Sequence, residues 1–323
     1  MNKKPVPLRL KPAGKGYIWG GERLKKEYNK ADLDVTPLAE SWECSVHPDG
    51  MSIVAGGEYD GLTLKDVISS NPQFLGSKSD AMPILIKFID AAADLSIQVH
   101  PDDEYARSHE GDNGKTEFWY VLDAEEGAEL IYGFEHPMNR EKLREAIDEG
   151  RLEGMVHHIP VHKGDVFFVH PGTVHAIGKG IVIVEVQESS NLTYRLYDYN
   201  RTDKDGNKRP LHFDKAAEVL DMKPVKLIRQ PQHMVRYYFG CARELLCRCE
   251  YFEVERVQVT KGFSFSVLDT SFQVLLCIDG NGGLETDESN KPVRFDKGAC
   301  IFLPASLGRC HVIGECTLLK VRC

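Results

Sequence analysis

Alternation of apolar and polar positions runs through most of the chain, and helical periodicity is confined to a few short stretches. The clearest alternation is Leu95-Ser96-Ile97-Gln98-Val99-His100. Ser96, Gln98 and His100 share one face there, and Leu95, Ile97 and Val99 the other. Pro101 has no N–H to give and ends regular pairing. Residues 83–90 form an almost unbroken apolar run interrupted by Lys87. This predicts a buried strand whose lysine stands at a pocket wall or snorkels outward. Further strands are predicted at residues 41–45, 51–54, 117–122, 129–132, 166–169 and 181–186, with 117–122 and 129–132 as a pair. In residues 193–199, alternation puts Tyr194, Leu196 and Asp198 on one face and Thr193, Arg195, Tyr197 and Tyr199 on the other.

Three short helices are predicted. One covers residues 63–69 with Thr63 as its N-cap, and one follows Asn139, with Leu143, Ala146 and Ile147 on one face and Gly150 as its end. The third covers residues 214–220, and residues 106–116 read as a loop. Residues 223–235, with Pro224 and Pro231, are the best linker. Beyond Glu250, short strands alternate with turns, at 252–259, 263–268, 272–278, 282–286, 299–303 and 317–321. The stretch Lys297-Gly298-Ala299-Cys300-Ile301-Phe302-Leu303 parallels Lys163-Gly164-Asp165-Val166-Phe167-Phe168-Val169. The chain therefore reads as two related β-barrel units, residues 1–228 and 229–323, with chemistry in the first alone.

Composition narrows the function. A chain of 323 residues with net charge -9 is not built primarily for nucleic acid. No apolar run reaches membrane-spanning length and the basic N-terminus is not a signal peptide, so a cytoplasmic protein is expected. Nine cysteines at irregular spacing do not form a secreted disulfide framework, and Cys247-Arg248-Cys249 is C-x-C rather than C-x-x-C.

The candidate chemistry lies where three segments meet. Gln98 and His100 come from one strand, Glu117 from Gly114-Lys115-Thr116-Glu117-Phe118-Trp119-Tyr120, and His175 follows the turn in His170-Pro171-Gly172-Thr173-Val174-His175. Inward-facing positions of a small barrel would bring two imidazoles, a carboxylate and an amide together, a plausible first shell for Zn²⁺ or another first-row divalent ion. Any one histidine alone would more ordinarily be a hydrogen-bonded core or surface residue. Lys87, Ser96, Lys115 and Arg195 are candidate partners for an anionic substrate, Arg195 through its planar fork. Arg195 could equally serve a salt bridge or a cation–π contact among Tyr194, Tyr197 and Tyr199. The Gly20-Gly21 pair after Trp19 lets backbone approach a neighbour closely. No dinucleotide fingerprint, Walker-type loop or Ser-centred nucleophile motif is present.

The sequence resembles the type I mannose-6-phosphate isomerases in their short bacterial form. The matching pieces are Tyr17-Ile18-Trp19-Gly20-Gly21, Ala39-Glu40-Ser41-Trp42-Glu43, the 95–103 and 114–120 segments, Gly164 to Ile177, and Thr193 to Arg201, in family order. The resemblance implies a mainly β fold of two cupin-type (jelly-roll) barrels, a few short helices being inserted in the first. It implies one zinc per chain on Gln98, His100, Glu117 and His175. It places Ser96 and Lys87 at the substrate phosphate, Trp19 in the substrate site, and Lys115 and Arg195 at the reacting carbons. The implied reaction interconverts mannose 6-phosphate and fructose 6-phosphate through a cis-enediolate, in a cytoplasmic monomer or homodimer with a small sugar phosphate as partner. Competing readings are another cupin sugar-phosphate isomerase, an iron-dependent cupin oxygenase on two His and one carboxylate, a sugar-phosphate sensor without turnover, and a storage-type double barrel.

Overall fold

Long apolar runs in a β-protein require a sheet covered on both faces, and the computed structural model contains one. The structure describes residues 4–203, 205–225, 234–287 and 291–323. Its central sheet has six strands in the order Val166–Val169, Glu117–Ala124, Ile181–Glu188, Ile84–Ala91, Glu40–Cys44 and Ala13–Lys15. Every residue of Ile84–Ala91 and of Ile181–Glu188 is buried. One face of this sheet, with Ile84, Ile86, Phe88, Phe118, Val184 and Val186, packs on the C-terminal unit through Val254, Leu276, Phe302 and Leu319. The other face, with Ile89, Trp119, Val121 and Ile183, packs on Leu95, Leu130 and Ile177. Lys87, Glu117 and Glu185 sit on this second side.

A five-stranded sheet closes over that side in the order Tyr194–Tyr197, Ile97–Val99, His175–Ile177, Glu129–Phe134 and Val156–Pro160. Its outer surface carries Val99, Phe134 and Leu196 against the helices Arg140–Asp148 and Phe213–Val219. The two sheets form a flattened jelly roll, hydrogen-bonded as open layers, and the mainly β cupin architecture is as predicted.

The C-terminal unit supplies eight strands of a ten-stranded sheet folded over its own core. The predicted strands at 272–278 and 282–286 are one strand, Gln273–Thr286, and Gly308–Arg322 is equally continuous. The glycines that read as a turn instead bend the strand, because Gly280 has φ +74° and the pairing register shifts between Cys277 and Asp279. The N-terminal strands Leu8–Lys11 and Ile53–Val54 extend this sheet, Leu8–Lys11 pairing with Cys300–Leu303. The repeated Lys-Gly turns both precede a strand and both need glycine, with φ +95° at Gly164 and +87° at Gly298. The boundary between residues 228 and 229, with most of the predicted linker, lies outside the described residues.

Two local readings are corrected. Residues 117–122 and 129–132 are strands but not a pair. Glu117–Ala124 pairs with Val166–Val169 and Ile181–Glu188, whereas Glu129–Phe134 joins the opposite sheet. Residues 106–116 are not wholly a loop, since Asp103–His109 is a helix. Asp102 caps it by accepting from the Tyr105 N–H, Asp103 and Glu104 suit its positive end, and Ala106 is its buried contact. One small buried side chain leaves too little periodicity to read. The 63–69 and 139–149 helices do form, with Thr63 accepting from the Asp66 N–H and Asn139 from the Lys142 N–H.

Candidate active site

The site lies between the two sheets of the jelly roll. The Ile97–Val99 strand stands between its neighbours so that Gln98 faces His175 on one side and Arg195 on the other. Glu117 comes from the facing sheet, opposite Gln187. The turn before His175 is pinned to the same strand, for the Gly172 N–H donates to the His100 carbonyl at 2.9 Å. Gly172 has φ +84°, and a Cβ there would lie 2.9 Å from the Val219 carbonyl oxygen, so both conformation and space require glycine. At the Gly20-Gly21 pair space alone requires glycine: a Cβ would lie 2.5 Å from Ala39 Cβ at Gly20 and 2.4 Å from the Asp90 carboxylate at Gly21.

The imidazoles are oriented by backbone carbonyls. His100 Nδ1 is 2.8 Å from the Leu192 oxygen and His175 Nδ1 is 2.8 Å from the Thr173 oxygen. A carbonyl only accepts, so each Nδ1 carries the proton and each Nε2 presents a lone pair. Those two Nε2 atoms are 3.1 Å apart, and His100 Nε2 is 3.2 Å from Glu117 Oε1. Burial pushes the His100 imidazole down to about 3, with the Lys115 charge adding to it, and burial also pushes His175 down. Burial works to raise the Glu117 carboxyl, but Lys115 and the imidazoles outweigh it and hold it well below the usual carboxylate range.

This set fits a divalent cation. Neither Glu117 oxygen has a partner of hydrogen-bond geometry, although Lys115 Nζ lies 2.6 Å from Oε1. Two imidazole lone pairs and two buried carboxylate oxygens converge on one point, and acceptors cannot satisfy one another. Among the described residues, His100, Glu117 and His175 form a group whose ligand atoms lie within 4.8 Å of one another. Neutral imidazole and carboxylate are donors suited to zinc, and the orienting carbonyls are the outer partners that metal-bound histidines use.

Beside this group opens a cavity of about 250 Å³ lined by Trp19, Lys87, Ser96, Gln98, Lys115 and Arg195 among others. The structure thus gathers the sequence candidates around one space. Lys87 stands in its wall and does not snorkel. Burial would push its ammonium down, but Glu40, Glu185 and Glu117 outweigh it, and its pKa ends above the usual lysine value. Its Nζ is 3.1 Å from Glu185 and 3.7 Å from Glu40. Arg195 has uncharged partners, Nε donating to Ser96 Oγ at 3.2 Å and Nη1 to the Pro210 carbonyl at 2.9 Å.

Sequence reasoning passed over Glu40 and Glu185. Glu185 lies directly across from Lys87 on one side and Trp119 on the other. The Trp119 indole N–H donates to Glu185 at 2.9 Å, and the Trp42 indole N–H to Glu40 at 2.6 Å. A carboxylate inside a β-branched run, as at Val184-Glu185-Val186, was the available signal, the same one that singled out Lys87. Arg209 also reaches the cavity and is held by Asp198 at 2.8 Å.

Comparison with known proteins agrees with this geometry. A family model for the phosphomannose isomerase type I catalytic domain matches residues 8–131, and one for the mannose-6-phosphate isomerase cupin domain matches residues 243–323. The mannose-6-phosphate isomerase ManA of Bacillus subtilis is 37% identical over 320 residues, covering 96% of this chain and 97% of that protein. The chain belongs to the type I mannose-6-phosphate isomerase family. It is accordingly an enzyme, an aldose–ketose isomerase. The family's Streptococcus mutans mannose-6-phosphate isomerase is 47% identical over 215 residues, 66% of this chain and 67% of that protein. A crystal structure of the Bacillus subtilis mannose 6-phosphate isomerase superposes with a TM-score of 0.88 at 34% identity, covering 98% of this chain and 99% of the other. Among the described residues, no helix is long and apolar enough to cross a membrane.

Proposed function

We propose that the chain interconverts mannose 6-phosphate and fructose 6-phosphate through a cis-enediolate, with one zinc ion held by His100, Glu117, His175 and Gln98. The observation that carries this reading is the convergence of two Nε2 lone pairs and the Glu117 oxygens, which lack a partner of hydrogen-bond geometry, beside a cavity that Lys87, Lys115, Arg195 and Arg209 line. Zinc there would supply a fixed positive charge beside the sugar's reacting oxygens. The lysines and arginines of this cavity suit an anionic sugar and argue against a neutral apolar substrate for the oxygen-consuming alternative.

The chain's own residues then divide the work. The aldose C2 proton is weakly acidic, so charge must be stabilised as it develops on oxygen. Arg195 has the charge to spare for this, its partners being a hydroxyl and a carbonyl. Lys115, beside Glu117 at the cavity wall, is proposed to move the proton between C2 and C1. Glu185 is the rival carrier, because burial and the nearby Glu117 raise its carboxyl towards working pH. Ser96 and Lys87 are proposed to hold the phosphate, although Lys87 already shares its charge with two carboxylates and offers less of it than an unpaired lysine would. Phosphate held away from the reacting carbons positions them, and Trp19 gives the sugar a flat wall, stacked on Tyr17 at 5.3 Å. Nine free thiols, none in a disulfide, suit the reducing cytoplasm where we place the enzyme.

Isotope exchange tests the chemistry. When mannose 6-phosphate is converted in heavy water, deuterium is expected at C1 of the fructose 6-phosphate formed. A product that stays free of deuterium through prolonged equilibration would mean direct hydride migration and would remove the enediolate and its base.

A further inference from the structure

Glu185 is not the only polar residue that the Ile181–Glu188 strand turns toward the site. Gln187 lies directly across from Glu117, with Leu85 on its other side, and its side chain is fully buried. Its hydrogen bonds run away from the metal ligands. The amide Nε2 donates to two backbone carbonyls just past the strand, Glu188 at 2.8 Å and Ser190 at 2.6 Å. Both partners only accept, which settles the end of the amide that carries nitrogen. The Oε1 atom is buried without a hydrogen-bond partner among the described residues. An amide that leaves one oxygen unpartnered is poor core filling. Its contribution lies in what the nitrogen holds.

What it holds is the segment that orients a metal ligand. The Ser190 N–H donates to the Glu188 carbonyl at 2.8 Å, and the Leu192 N–H to Ser190 Oγ at 3.3 Å. The Leu192 carbonyl is thereby set 2.8 Å from His100 Nδ1. The same segment grips the chain just before Glu117. The Thr116 N–H donates to the Glu188 carboxylate at 2.7 Å, and the Glu188 N–H to the Thr116 carbonyl at 3.1 Å. Gln187 thus sits behind two ligands at once, His100 through Leu192 and Glu117 through the strand pairing.

We propose that Gln187 is a positioning residue for the metal centre, fixing the His100 imidazole through the Leu192 carbonyl. The inference rests on the reading of His100, Glu117 and His175 as metal ligands. An imidazole aims its Nε2 lone pair only as well as the acceptor of its Nδ1 proton is held. Without the Gln187 amide the Ser190 carbonyl loses a buried donor, the segment loosens, and the His100 ring is freer to turn away from the point where its Nε2 meets that of His175. The other imidazole is held independently, because the Thr173 carbonyl that orients His175 belongs to a turn closed by the Thr173 N–H on the His170 carbonyl at 3.1 Å.

The test uses the full-length enzyme and Gln187→Met, which keeps the size of the side chain and removes the donor. Both are stripped with chelator, zinc affinity is measured by competition with a chromophoric chelator, and the visible spectrum is recorded after loading with cobalt. Zinc should bind about tenfold more weakly to Gln187→Met, and its cobalt bands should differ from the parent's. Gln187→Asn, whose amide falls one carbon short of Ser190, should give the same result and replaces the methionine variant if that one does not fold. Val186→Ala is the control for stability alone. Val186 is buried on the opposite face of the same strand, in the core shared with the C-terminal unit. Its truncation should lower the melting temperature and leave zinc affinity and the cobalt spectrum at the parent's. Parent-like zinc affinity and cobalt spectrum in the Gln187 variants would overturn the proposal, as would an equal loss of affinity in Val186→Ala. A parent that binds no zinc would instead remove the metal assignment, and the proposal with it.

Discussion

Alanine at His175 should strip the enzyme of its metal and lower turnover by about a thousandfold. The imidazole provides one of the two Nε2 donors, and its Nδ1 is already committed to the Thr173 carbonyl. A bound divalent ion contributes several kcal/mol to stabilising developing charge, and each ~1.4 kcal/mol is a factor of ten in rate. The substitution also removes the partner of the Thr173 carbonyl in the half-buried segment before the strand, at a cost of about 0.5–1.5 kcal/mol. His175→Asn separates the two effects, since its amide stands where Nδ1 stood and can still serve that carbonyl while the Nε2 donor is lost. It should melt close to the parent yet remain metal-poor and slow. Metal content by mass spectrometry and turnover per chain are the readouts, and His175→Ala with full metal and full turnover would remove His175 from the site.

Arg195→Ala should behave differently. Its guanidinium reaches Ser96 and the Pro210 carbonyl rather than the metal ligands, so zinc content should not change. Losing one donor aimed at a developing oxyanion typically costs about 100- to 1,000-fold in kcat, and that is the expected loss. Arg195→Lys should recover part of it, because a point charge replaces the fork without its second hydrogen bond. A fall in metal content with unchanged turnover of the remaining loaded enzyme would make Arg195 a structural residue.

Much of this site was legible because its chemistry is local in sequence. Ser96, Gln98 and His100 declare a polar face through simple alternation, and the Pro171-Gly172 turn marks where His175 enters. The fold class followed from the same period. What was not legible depends on pairing between distant strands. Glu185 stands out as a charge inside an apolar run, but its partners are not legible until Lys87 is found across from it and the Trp119 indole beside it. Glu129–Phe134 reads as the hairpin partner of the strand before it, yet it crosses to the other sheet, where Tyr132 lies opposite His175. Only the packing of two sheets decides that choice. In the C-terminal unit, glycine misleads for a local reason, since Gly280 at φ +74° serves a bend inside a strand as readily as a turn between two.

Zinc loading by the His100, Glu117 and His175 cluster, with Gln98, is the proposed basis of mannose 6-phosphate isomerisation. Its most direct test is fructose 6-phosphate formation by the purified enzyme, by the same enzyme after chelation and dialysis, and by that sample after stoichiometric zinc. Activity should be lost with the metal and return as one zinc per chain binds. Undiminished conversion by the fully stripped protein would contradict it.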